Sequence, residues 1–132
     1  MTGYLKSLEL DKIVEKAAGY AACPQAAALL REQEPLTNVE EVRFALGKTD
    51  AVNSLLLKNG SPRFSGVDGV KGIVARAVKG GVLSMAELLT VAATLRNFAS
   101  LAAWYRMTEH DFLPTDDLFY ALSPQPALEK AI

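Results

Sequence analysis

The run 84–106, SMAELLTVAATLRNFASLAAWYR, constrains the fold more than any other stretch of the chain. Met85, Leu88, Ala92, Leu95, Ala99 and Ala102 alternate three and four residues apart, and Leu89, Phe98, Leu101 and Tyr105 widen the stripe. A 3.6-residue repeat lays these side chains along one side of an α-helix, and an apolar side this broad calls for several packing partners. Ser84 followed three residues later by Glu87 is a capping box, in which the hydroxyl accepts from a first-turn amide and the carboxylate reaches back to the Ser84 amide. Gly80 and Gly81 supply the break before it.

The other segments read in the same way. Leu10, Ile13, Val14, Ala17 and Ala21 predict a helix over 8–22, with Glu9, Lys12, Glu15 and Lys16 on its polar side. Cys23 and Pro24 open a second, short helix, since a proline at the first helical position loses no bond, and Pro35 stops it. Thr37 or Asn38 caps a helix that begins with Glu40 and Glu41 and runs to about Leu57. Its expected core stripe is Val42, Ala45, Thr49, Val52 and Leu56, with Val39, Leu46 and Leu55 beside it. Residues 58–72 hold four glycines and a proline, so they read as a loop with at most a short extended or turn element near 64–70. A brief helix over 73–79 leads into the Gly80-Gly81 break. After Arg106 come a junction over 109–114, a short helix over 115–122, and a final helix opened by Ser123-Pro124. The pattern stops at Ile132 without a C-cap, which reads as a piece of a longer protein. The sum is an all-α, multi-helix domain over 1–132, with a Gly-rich loop and room for a minor extended element.

Half of the 132 residues are apolar, enough for one compact domain with a core. The net charge of −1 names no partner, but its distribution is uneven. Residues 1–57 hold six Lys/Arg against eight Asp/Glu, residues 58–106 seven against two, and residues 107–132 one against five. The basic middle is spread over nearly fifty residues and reads first as a solvated face. A single cysteine excludes an internal disulfide. The sequence holds no eighteen-residue apolar run, and MTGYLKSLELDK lacks a signal-peptide core, so the reading is a cytoplasmic protein without a membrane partner.

Motifs for chemistry are thin. A phosphate loop needs G-x-x-x-x-G-K-[ST], yet Lys71 and Lys79 are each followed by glycine, with no metal-binding hydroxyl. His110, the only histidine, lies in EHDFL near Glu109, Asp111, Asp116 and Asp117, a set that a small metal-dependent or acid–base enzyme could use. Nothing in the spacing aims those side chains at one point, and a solvated junction is the plainer reading. Cys23 lacks a basic partner and reads as structural. Phe98, Trp104 and Tyr105 beside cations could form a stacking platform for nucleic acid. Core packing is the plainer reading, with Trp104 the exception because it lies off the main stripe. The candidate weak nucleic-acid contacts are therefore Arg76, Lys79, Arg96, Trp104 and Arg106, with no catalytic, cofactor-binding or metal-ligating residue in the chain.

Three stretches carry a family resemblance: SLELDKIVEKAAGYAACP, TNVEEVRFALGKTDAVNSLL, and KNGSPRFSGVDGVKGIVARAVKGGVLSMAELLTVAATLRNFASL. In this order they resemble the N-terminal region of bacterial MutS2 proteins, the MutS-related ATPases without a mismatch-reading front domain. The terminal PQPALEKAI resembles the approach to that family's lever helices, so 107–132 is expected to begin it. The resemblance implies a helical core or connector without catalysis of its own. It also implies a parent that binds ATP and Mg in a later ATPase domain, often closing with an Smr endonuclease domain. Such a parent is expected to be a homodimer on branched DNA, restraining recombination, with a role in DNA repair and an association with ribosomal RNA. The expected partners of this region are other domains of the same chain. The alternative is a stand-alone helical protein–protein interaction module.

Overall fold

The computed structural model describes residues 8–64, 69–107 and 110–132, and every regular element among them is an α-helix. By its internal packing the chain falls into two compact units, Met1–Pro35 and Leu36–Ile132.

The first unit is a helical pair. α1 (Leu10–Ala18) packs on α2 (Pro24–Glu32). α1 is shorter than the expected 8–22 because Gly19 caps it, its amide bonding the Glu15 carbonyl at 3.0 Å, after which the chain turns. Pro24 opens α2 at its first turn behind an extended Cys23, as its missing N–H predicts. Arg31 grips Glu15 through two parallel bonds, Nε to Oε1 at 2.8 Å and an Nη to Oε2 at 3.0 Å. This pairing holds the Glu15 carboxyl below its usual range.

The second unit is built from α3 (Val39–Asn59), α4 (Lys71–Val78), α5 (Met85–Tyr105), α6 (Asp116–Tyr120) and α7 (Pro126–Ala131). Asn38 caps α3, its side-chain oxygen accepting from the Glu40 amide at 2.8 Å and the Glu41 amide at 3.4 Å. The expected turn near 64–70 falls largely on 65–68, outside the described residues. α5 starts on the predicted capping box. The Glu87 amide donates to the Ser84 hydroxyl at 3.3 Å, and the Ser84 amide donates to the Glu87 carboxylate at 2.9 Å. That amide, with the Arg76 guanidinium bonded to the same carboxylate, pulls the Glu87 pKa down to about 2.

The core lies where the C-terminal ends of α3 and α5 meet. Leu55, Trp104 and Tyr105 are buried together, and Leu56, Leu113 and Phe119 close over them. α6 and α7 both pack on α5.

α3 buries a different face from the expected one, while α5 buries part of the expected stripe. On α3 the buried residues are Ala51 and Leu55, while Thr49 is exposed and its hydroxyl bonds back to the Ala45 carbonyl. On α5 Ala92, Leu101, Ala102 and Tyr105 of the expected stripe are buried together with Thr94, Asn97 and Trp104, whereas Met85 and Leu89 stay open. Asn97 donates to the Arg63 carbonyl at 2.8 Å, tying the 60–64 strand of loop to that side of α5.

Candidate functional site

Tyr105 stands at the centre of a cluster of ring contacts and hydrogen bonds. Its ring stacks on Phe119, centroids 4.1 Å apart and planes 6° off parallel. His110 and Tyr120 meet it edge-on, at 4.9 and 5.9 Å. The phenol donates to Asp116 Oδ1 at 2.6 Å and pairs with the Thr115 hydroxyl at 2.8 Å, while Asp116 Oδ2 accepts from the Leu113 amide at 3.2 Å. Burial, with the Asp116 carboxylate opposite, pushes the phenol up to about 12. A phenol that holds its proton this firmly is a structural donor, not an acid or base at neutral pH.

The acidic residues around His110 do not assemble a site. Asp116 is taken by Tyr105, and Asp117 by Lys48, whose Nζ sits 2.9 Å from Oδ2 and lowers that carboxyl. His110 Nδ1 lies 3.0 Å from the Asp111 carbonyl, which can only accept, so Nδ1 carries the proton of this bond. Glu109 lies outside the described residues. No three His, Cys, Asp or Glu side chains among the described residues could share a metal ion.

The candidate nucleic-acid residues lie on α4 and α5 or at their C-terminal ends. Arg76 on α4 bonds Glu87. Arg96, in the middle of α5, pairs with Glu129 on α7 at 3.1 Å. Arg106 follows the last turn of α5 and lies over the Tyr120 ring at 5.9 Å. Arg96 and Arg106 are ten residues apart, about 15 Å along a helix axis. Lys79 caps the end of α4 and is exposed. The reading of Trp104 as the exposed aromatic is corrected. Only 7% of it is accessible, and its indole N–H donates to the Gly60 carbonyl at 2.9 Å. With Phe119 against it, no open face remains for a base to stack upon.

What the second unit does offer is an open apolar groove of about 790 Å³ between α3 and α6, lined by Leu46, Thr49, Val52, Leu56 and Leu118. These α3 residues are largely the stripe that the sequence marked as core. The Tyr105–Asp116 bond and the groove were both missed from sequence. Tyr105 counted there only as one more apolar position, and nothing near Asp116 signalled a buried acceptor.

No family model and no solved structure matches the chain. Among curated proteins, Endonuclease MutS2 of Clostridium beijerinckii is 32% identical over 130 residues, covering 97% of this chain and 16% of the relative. Endonuclease MutS2 of Clostridium perfringens strain 13 is 33% identical over 134 residues, covering 97% and 17%. The chain belongs with the N-terminal region of the MutS2 proteins. The more distant Endonuclease MutS2 of Halothermothrix orenii is 29% identical over 102 residues, 77% of this chain. The chain spans about a sixth of the length of the MutS2 relatives it matches. Within this MutS2 region, no described helix is long and apolar enough to cross a membrane.

Proposed function

We propose that this chain is the non-catalytic N-terminal helical domain of a MutS2-type DNA-binding ATPase. It acts as a scaffold on which other domains of the same protein rest, and 107–132 begins the approach to its lever helices. The observation that carries this reading is the match itself, which takes in 97% of the chain but only 16% of a relative named as an endonuclease. Nucleotide chemistry with ATP and Mg, and any Smr-type nuclease step, belong on this reading to the remainder of the protein. So do homodimerisation, action on branched DNA, restraint of recombination and contact with ribosomal RNA. The compartment is the cytoplasm.

Arg76 and Arg96 are paired with Glu87 and Glu129 and Arg106 lies over the Tyr120 ring, which supports a passive role, because a phosphate backbone is held by cations free to meet it. The isolated chain should neither bind nor hydrolyse ATP. Titrated against branched and linear DNA at two salt concentrations, it should bind weakly and lose that binding as salt rises. Tight binding that survives high salt would overturn the scaffold reading. The second reading, a stand-alone interaction module, draws on the open α3–α6 groove. Sequencing the source gene past the codon for Ile132 separates the two: lever helices and a Walker motif downstream exclude the module.

A further inference from the structure

We infer that the corner between α4 and α5 is a locked elbow that fixes the direction of α4 relative to α5, with the Glu87 carboxylate as its pin and Arg76 as a positioning residue. The lock is built from both sides of the Gly80-Gly81 break. On the α4 side the helix ends in a Schellman motif. The Gly80 amide donates to the Ala77 carbonyl at 2.9 Å and the Gly81 amide to the Arg76 carbonyl at 3.0 Å, with Gly80 left-handed at φ 80. On the α5 side Glu87 Oε2 accepts from the Ser84 amide at 2.9 Å and from the Ser84 hydroxyl at 3.1 Å. The other carboxylate oxygen, Oε1, accepts from the Arg76 guanidinium.

These bonds close a ring. Arg76 is held at its carbonyl by Gly81 and at its guanidinium by Glu87, so the chain from Arg76 to Glu87 returns on itself. Space is closed as well. A Cβ on Gly81 would stand 2.5 Å from Arg76 Cγ and 2.9 Å from the Arg76 carbonyl oxygen. The first distance is well inside the roughly 3.5–4.0 Å at which non-bonded carbons rest, and the second is to backbone, which cannot step aside. A Cβ on Gly72, at the other end of α4, would meet nothing within 4 Å. Packing does not duplicate the lock. A helix as short as α4, with 8 residues, is marginal in water and is ordinarily held by a buried face, yet no residue of α4 is buried. Its direction is held instead by the bonded end.

The test is a distance between two spin labels, one attached through Val74→Cys on α4 and one through Ser100→Cys on α5, in a Cys23→Ser background that removes the native thiol. The parent chain should give a single narrow distance peak. Glu87→Ala and Arg76→Ala should each lose that peak, and Gly81→Ala should lose it while leaving both capping-box residues in place. Arg76→Lys, which keeps a cation for Glu87, and Gly72→Ala should retain it. Trp104 emission should be the same in every variant, since Trp104 sits at the opposite end of α5. A peak as narrow in Glu87→Ala and Gly81→Ala as in the parent would overturn the inference, and so would a parent that is already broad. Broadening accompanied by a shift of Trp104 emission would mean general unfolding instead of a released corner, and would overturn it too.

Discussion

Tyr105 is the residue on which most local order depends. Replacing it with Phe keeps the stack on Phe119 but strips Asp116 Oδ1 and the Thr115 hydroxyl of their buried partner. The expected loss is about 1–3 kcal/mol in a urea titration, the usual penalty for orphaning a buried acceptor. The raised phenol pKa adds a pH test. The folded value of about 12 lies above the ordinary 10.0, so folding favours the protonated form. The stabilisation is complete below pH 10 and is lost as pH climbs through 12. Tyrosinate absorbance should show one tyrosine ionising after the others, and Tyr105→Phe should delete that late step. Glu87 runs the opposite way. Its carboxyl falls from 4.5 to about 2, so its contribution is present above 4.5 and disappears as pH drops through 2. Acid should therefore fray the first turn of α5, and Ser84→Ala, which removes one half of the cap, should cost about 0.5–2 kcal/mol.

At the scale of elements, the helices themselves were legible, and so in part was the inward face of α5, but not that of α3. Caps and breakers act locally, so Asn38, Ser84 with Glu87, and Pro24 all fell where spacing put them. Which face turns inward depends on what arrives from elsewhere in the chain. Leu55 wins over Val52 on α3 because Trp104 and Tyr105 meet it, and no periodicity within 38–57 could announce that. Leu55→Ala should accordingly cost about 2–5 kcal/mol by opening a cavity in the core, and Leu95→Ala, only half-buried, clearly less. Gly60 ends α3 at φ 72 and ψ 176, a combination essentially reserved for glycine. Gly60→Ala should cost on the order of 1–3 kcal/mol in strain and disturb the carbonyl that receives the Trp104 indole. Trp104 is the only tryptophan, so its emission reports both changes directly.

For the whole molecule, the family was legible because framework wording survives in order along the chain, and the comparisons bear that out over 97% of its length. The division into two units was not legible. Pro35 looked like an ordinary helix stop, and a stop between helices looks the same in sequence as a boundary between units. The core residues Leu55, Trp104 and Tyr105 all lie in Leu36–Ile132. A chain beginning at Leu36 should thus keep the tryptophan emission and urea midpoint of the second unit, and a collapse of both would show that the helical pair is needed for that core.

The join between α3 and α5 has a mechanical consequence. Asn59 donates to the Trp104 carbonyl at 3.3 Å while Trp104 donates to the Gly60 carbonyl, two bonds in opposite directions that bolt one end of α3 down. Farther back, Pro114 lies beside Gly47 and Asp117 holds Lys48. N-terminal of Gly47, α3 runs about two more turns, roughly 12 Å, from Leu46 to Val39, with Val39, Phe44 and Leu46 exposed. A beam clamped in this way bends least at the bolt and most at the tip. A tilt of about 5° at the clamp moves Val39 by only about 1 Å.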